Sequence, residues 1–405
     1  MIHYDKKGNK LSFESSDIEK VTPSITDETY LQMRLNDTFD AGIEKAPTTA
    51  EVMTSSITAI KNLWQTKCAR IASKKGYGSK SEVYKYINSR GVSANGRLFV
   101  KGTELVNKNG EKFQLKGMST FTQALGTTAY MHEGIETTKI YGANVVRACN
   151  YTVSSPWGTG YAGYTDGGDV EWHKKIIKRI IRDAIDLDMY VIVDWHCIRA
   201  TEYDLALYQD QAIDFFVEIA SEFPDCPNVI YELCNEPRVT WSAIKEYASN
   251  CIPAIRAYSP NAVILVGTPT NSAELSYPAS DPLDYENIMY VWHYYAGTFN
   301  FIGDRGISDY LGVIPVFVTE WGMTDASGDG VIYEQNSTEF VKFCEKNNIS
   351  WCYWALYFRD NSGYILPKSE AGKSYGGWTT DILTPAGQFI VEQFDDVGMF
   401  SQESE

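Results

Sequence analysis

From Arg97 onward the chain alternates between two hydrophobic patterns. The runs FQLKGMS, ANVVRACNYT, YVIVDWH, NVIYELCNEP, AVILVGTP, IMYVWHYYAG, VIPVFVTEWG and SWCYWAL are short and apolar on both faces, as expected of strands buried in a parallel sheet. Between them, WHKKIIKRIIRDAIDLD, LYQDQAIDFFVEIASEF, WSAIKEYASNCIPAIRAY and NSTEFVKFCEKNN repeat apolar residues at helical spacing. Eight buried strands separated by helices predict an α/β fold closed as a (β/α)8 TIM barrel. An open doubly wound sheet shares the alternation. It is disfavoured because no GxGxxG or GxxxxGK[ST] directly abuts the end of any strand, where such sheets place their phosphate-binding loop.

Ahead of the barrel, RLFVKGTELV and EKFQLKGMS alternate apolar and polar residues on either side of NKNG. The Asn-Gly pair predicts an N-terminal β-hairpin there. Residues 1–95 are polar and rich in Lys, Ser, Thr and Glu, with helical patterning only near 47–74 and 80–89. They read as a partly helical N-terminal extension of unassigned role, with an anchoring or partner-binding module as the alternative. Residues 96–400 are then expected to form the barrel domain, the part that carries the candidate chemistry.

Composition narrows the partners. A net charge of -16 repels phosphate backbones and anionic lipid, so neither nucleic acid nor a membrane surface is expected. A neutral polysaccharide suits a chain with 27 Tyr, 17 Phe and 10 Trp, whose rings can cover sugar faces. The opening MIHYDKKGNKLSFESSD lacks the apolar core of a secretory signal, and no later run has the length of a membrane helix. The eight cysteines form no CxxC pair and several sit in strand-like runs. They are expected to be small buried hydrophobes rather than disulfides or zinc ligands.

Polar residues collect at the C-terminal ends of the predicted strands, where a barrel builds its site. Arg147 and Asn150 end the second strand, Asp194 and His196 the third, Asn235 and Glu236 the fourth, His293 and Tyr295 the sixth, Glu320 the seventh and Trp354 the eighth. Glycoside cleavage needs one carboxylic acid to protonate the departing oxygen and a second carboxylate at the anomeric carbon. Glu236 and Glu320 project from opposite sides of the barrel and suit that division. A separation of about 5 Å gives retention of configuration, and roughly 6.5–9.5 Å gives inversion. Proximity to Glu320 is expected to keep Glu236 protonated, while Arg147 keeps the nucleophile ionised. Asn235 suits the sugar 2-hydroxyl, His196 and His293 can orient hydroxyls or carboxylates, Tyr295 can hydrogen-bond the nucleophile, and Trp354 offers a floor for a sugar ring.

The motifs NVIYELCNEP, VIPVFVTEWGMTDASGDG, YVIVDWH and HYYAGT resemble glycoside hydrolase family 5, in particular its bacterial endoglucanase (cellulase) branch, from about Arg97 to about Phe394. The resemblance implies retaining endo-cleavage of β-1,4-glucan, with Glu236 as acid/base and Glu320 as nucleophile. Arg147, His196, Asn235, His293, Tyr295 and Trp354 match the family's supporting positions. No metal or organic cofactor is implied, and Asp325 with Asp329 reads as a solvated loop rather than a calcium site. A polysaccharide substrate implies an extracellular setting.

The chain departs from the branch at sugar-facing positions. GMSTFTQAL stands where the branch reads like GMSSHGLQW, placing Phe121 at the histidine and Leu125 at the tryptophan. Asn271 replaces an expected Trp after the fifth strand, and Arg359 and Asn361 replace the Lys and Glu that follow the final tryptophan. Arg359 and the aromatic residues Tyr151, Trp157, Tyr161 and Tyr164 are candidate contacts for a different, branched or acidic glycan. A β-mannanase, xyloglucanase or mixed-linkage glucanase is therefore the alternative substrate class, and a non-catalytic glycan-binding or attachment protein is the alternative outside enzymes.

Overall fold

The computed structural model describes residues 3–4, 10–11, 50–121, 128–154, 162–198, 202–303 and 306–399. All eight apolar runs become strands: β1 Lys116–Thr120, β2 Val145–Tyr151, β3 Tyr190–His196, β4 Val229–Glu232, β5 Ile264–Val266, β6 Ile288–Tyr295, β7 Val316–Gly322 and β8 Trp351–Leu356. They close into one barrel in sequence order, with every neighbouring pair parallel. The open sheet is thereby ruled out.

The amphipathic runs form the outer helices: α3 His132–Tyr141, α4 Val170–Asp186, α5 Glu202–Glu222, α6 Trp241–Arg256 and α7 Glu334–Lys346, followed by α8 Pro385–Val391. Several starts are capped as the sequence dictates. The Asp169 side chain accepts from the Trp172 N–H, and Thr240 from the Ala243 N–H. The β5–β6 connection holds only the single turns Pro269–Ser272 and Ser276–Ser280, and the β6–β7 connection the 3-10 turn Ile307–Tyr310.

Strand alternation divides the barrel interior into two zones. Val145, Ile192, Ile230, Val291, Phe317 and Cys352 belong to an apolar cluster that plugs the N-terminal half. Two residues further along each strand, on the same face, stand Arg147, Asp194, Glu232, His293, Thr319 and Trp354. The apolar layer thus ends where the polar one begins. In β7 the pairing register with β6 shifts between Val291 and His293, so that His293 lies opposite Glu320. Such a bulge lets consecutive residues, here Thr319 and Glu320, both face the axis.

The lead-in segment turns earlier than its pattern predicts. Phe99–Lys101 pairs with Glu104–Val106 around Gly102, whose φ is 63°, a left-handed conformation that glycine adopts without strain. The NKNG turn follows as a second turn, closed by a Val106–Lys112 bridge. The hairpin around NKNG is thus present, preceded by an additional turn at Gly102.

Helices α1 Ala50–Lys75 and α2 Lys80–Asn88 form where the N-terminal pattern places them. Met53, Ile60, Trp64, Cys68 and Ile71 of α1 share the hydrophobic core that lies between the strands and the outer helices. Trp64 Nε1 donates to Glu136 Oε1 of α3 at 2.9 Å, and the buried Lys67 ammonium lies 2.7 Å from Asp395. Near the start, His3–Tyr4 pairs antiparallel with Lys10–Leu11. All eight cysteines are free, and all are buried except the half-buried Cys226. Among the described residues no helix is long and apolar enough to cross a membrane.

Candidate active site

The polar layer is organised around one arginine. Arg147, fully buried in mid-β2, donates through Nε to Glu232 Oε2 at 2.7 Å and through one terminal nitrogen to Glu232 Oε1 at 3.0 Å. That nitrogen also reaches Asn235 Oδ1 at 2.6 Å and Asp194 Oδ2 at 3.0 Å. The other terminal nitrogen reaches Glu320 Oε2 at 3.1 Å. Burial works against the guanidinium charge, but Asp194 and Glu232 outweigh it and hold Arg147 charged. One cation cannot fully compensate three carboxylates out of water. Burial consequently pushes Asp194 up to about 7 and raises Glu232 above the usual carboxylate range, each opposed by Arg147.

Glu236 and Glu320 meet across the mouth. One carboxylate oxygen of each, together with a His293 ring nitrogen, lies in a group spanning at most 4.8 Å. Glu320 is held from both sides, with Tyr295 donating its hydroxyl to Oε1 at 2.8 Å while Arg147 takes Oε2. Glu236 lies in the loop just after β4, with 20% of its side chain exposed, and Oε1 is 3.1 Å from His293 Nδ1. Burial raises its carboxyl to about 7, against the pull of Arg238 and Arg147. Desolvation, rather than the expected proximity of Glu320, therefore dominates this shift.

His196, the last residue of β3, stacks between two rings. Tyr151 lies 4.2 Å away at 25° and Trp354 5.3 Å away at 8°, and His196 Nδ1 is 2.6 Å from Asp194 Oδ2. Burial lowers the imidazole well below its ordinary value, so it is neutral and donates from Nδ1 to Asp194. Asn235 gives one amide N–H to the Cys197 carbonyl and keeps a second for a ligand. Arg147, Tyr151, His196, Asn235, Glu236, His293, Tyr295, Glu320 and Trp354 are thus brought together by hydrogen bonds and ring contacts.

Arg359 stands apart from that network. It is half-buried beyond β8, its guanidinium 5.9 Å from the Phe121 ring and 5.7 Å from that of Tyr364. Phe121 is itself buried, against Tyr151, Trp354, Tyr357 and Tyr364. At this position, where the resemblance implies a histidine, the structure shows apolar packing. Asn271 accepts from Arg238 Nε at 2.7 Å and props that arginine beside Glu236. Tyr164 is core, packed on Trp195 and Phe215, which removes it from the candidate sugar contacts. Leu125, Trp157 and Tyr161 lie outside the described residues.

Two supporting residues escaped the sequence reading: Glu232 and Thr319. Glu232 carried a usable signal, since a carboxylate inside the apolar run NVIYELC must find a buried partner. Thr319 carried none, because a threonine in a strand needs no special role.

Two sets of donor atoms are close enough for a cation among the described residues: Cys149, Asp194 and His196, and Glu236, His293 and Glu320. In each, Arg147 already engages a carboxylate, and its charge opposes a second cation. The carboxylates of Asp325 and Asp329 are engaged within the surface loops. Asp325 accepts from Ser327, and Asp329 accepts from Gly330 and Ser362.

The family described as Cellulase (glycosyl hydrolase family 5) matches residues 106–360. The chain belongs to glycosyl hydrolase family 5. Its family 5 relatives include an endoglucanase of Clostridium saccharobutylicum, 39% identical over 325 residues, covering 77% of this chain and 68% of that protein. Endoglucanase A of Butyrivibrio fibrisolvens is 34% identical over 322 residues, covering 77% of this chain and 71% of the relative. Among solved structures, the catalytic domain of Thermobifida fusca endoglucanase Cel5A superposes with a TM-score of 0.67 at 29% identity, covering 75% of this chain and 98% of that one. The family 5 chain is accordingly a glycoside hydrolase with a retaining site architecture.

Proposed function

We propose that this chain is a retaining endo-β-1,4-glucanase in which Glu236 is the acid/base and Glu320 the nucleophile. The approach of their carboxylate oxygens to within 4.8 Å carries the reading, because direct attack requires a separation near 5 Å rather than room for an intervening water. In the first step a Glu320 oxygen bonds to the anomeric carbon as the glycosidic bond breaks, and the Glu236 proton passes to the departing oxygen. In the second, the Glu236 carboxylate takes a proton from water, whose oxygen bonds to the anomeric carbon and releases Glu320. Tyr295 and Arg147 aim and stabilise the Glu320 carboxylate, and Asn235 offers its free N–H to the sugar 2-hydroxyl. Trp354, backed by His196 and Tyr151, floors the adjoining sugar. The endoglucanase names of the relatives and the cellotetraose complex of the Thermobifida fusca enzyme support the glucan assignment. A polymer of this kind is met outside the cell, so an extracellular setting goes with the proposal.

A second reading keeps the chemistry and changes the glycan. It is favoured by Phe121, Asn271 and Arg359, which alter the sugar-facing positions while leaving the reacting pair untouched. Reducing-end assays on soluble cellulose derivatives, mannan, xyloglucan and mixed-linkage glucan separate the two. Glu320→Gln is expected to abolish release from every active substrate while the circular dichroism spectrum stays unchanged; a near-normal rate would end the assignment.

A further inference from the structure

We infer that Thr319 and Glu232 are positioning residues that fix the tautomer of His293, so that its Nδ1 can only accept, and therefore holds Glu236 in its proton-bearing form. The inference rests on the assignment of Glu236 as acid/base and concerns how that acid is kept ready.

The direction of the chain follows from counting protons. Both Glu232 oxygens accept from the Arg147 fork, Oε2 at 2.7 Å and Oε1 at 3.0 Å. Burial favours the neutral acid, yet the bidentate guanidinium occupies the two lone pairs that face it, and its positive charge selects the carboxylate. Thr319 Oγ1 lies 2.8 Å from the same Glu232 Oε1, so the single threonine proton points at Glu232. What remains on Oγ1 are lone pairs. His293 Nε2, 3.1 Å from Oγ1, must then be the protonated ring nitrogen.

His293 has no second proton to offer. Burial holds it neutral by lowering it to about 4, so Nδ1 carries a lone pair. That lone pair faces Glu236 Oε1 at 3.1 Å, and a hydrogen bond forms there only if Glu236 supplies the proton. The groups that act electrostatically on this carboxyl from the surrounding elements are Arg238 and Arg147, which favour its ionised form, and the carboxylates of Asp194 and Glu320 with the Tyr295 hydroxyl. His293 adds a preference independent of these charges, because a neutral acceptor stabilises only the protonated acid.

The consequence spans the catalytic cycle. Once Glu236 has given its proton to the departing oxygen, its carboxylate faces the Nδ1 lone pair with nothing between them. That repulsion drives recovery of a proton from the incoming water, so the same contact that holds the acid also strengthens the base. Reversal would require the Thr319 hydroxyl to turn away from Glu232, which sacrifices a buried hydrogen bond to a charged partner.

Nitrogen NMR of the full chain carrying 15N-labelled histidine reads the tautomer without reference to activity. The chain has five histidines, and His293→Gln identifies the relevant signals by their loss. At neutral pH His293 is expected to show the Nε2–H tautomer; an Nδ1–H tautomer or an imidazolium would overturn the inference. Thr319→Val removes the acceptor and frees Nδ1 to donate, which should lower the basic limb of the kcat/KM profile by on the order of one pH unit. Thr319→Ser, which keeps the hydroxyl, should return the limb to its original position. A merely structural role would lower the rate in the valine variant without moving the limb, and that result also overturns the inference. If the valine variant does not fold, the tautomer measurement on the unaltered chain still decides. Failure to cleave any glycan would instead reject the glucanase assignment and leave the tautomer result standing.

Discussion

At the residue scale, the protonation states needed for acid/base work follow from which groups are buried and what each one touches. Glu236 sits near 7 because burial outweighs the pull of Arg238 and Arg147. In the proposed mechanism its acid form is the reactive one in the first step, so kcat/KM should fall as pH rises through about 7. A profile flat from pH 6 to 9 would contradict that role. Arg147 is fully buried among Asp194, Glu232 and Glu320. Removing its charge while leaving theirs should cost about 3–5 kcal/mol, the usual penalty for breaking a buried pair. Urea denaturation of Arg147→Met tests this, and the loss should shrink at low pH, where the orphaned carboxyls take up protons.

At the level of elements, the strands and main helices were legible because burial on two faces and burial on one stripe leave different periods in the sequence. Strand-end placement likewise exposed Arg147, His196, His293, Tyr295 and Glu320 as candidates. The β7 bulge was not legible, since strict alternation cannot turn both Thr319 and Glu320 inward. The double turn at Gly102 was missed for a related reason: NKNG is the stronger turn signal, and Gly102 interrupts a pattern that alternates across it. Nor did composition reveal how α1 is used. Residues 1–95 are polar as a whole, yet Trp64 is buried against the barrel helices and bonded to Glu136. Trp64→Ala should destabilise the fold by about 3–5 kcal/mol, as large-to-small core substitutions do. A change below about 0.5 kcal/mol in denaturant titration, the range of exposed positions, would show that α1 does not contribute to the stability of the barrel.

For the whole molecule, charge and architecture favour the same ligand. A net charge of -16 disfavours polyanions, and the barrel mouth presents stacked rings with a largely buried acid, a surface suited to an uncharged glycan. Phe121, Asn271 and Arg359 border the polar layer without joining its hydrogen-bond network around Arg147. Under the proposed reading, identity of the glycan depends on such bordering side chains, while the reaction depends on the pair.

That pair can be tested by trapping. A 2-deoxy-2-fluoro-β-cellobiosyl fluoride slows the second step more than the first, so a retaining enzyme accumulates its glycosyl intermediate. Peptide mapping of the trapped enzyme should find one adduct, on Glu320. An adduct on any other residue, or undiminished turnover with no adduct at all, would contradict the account.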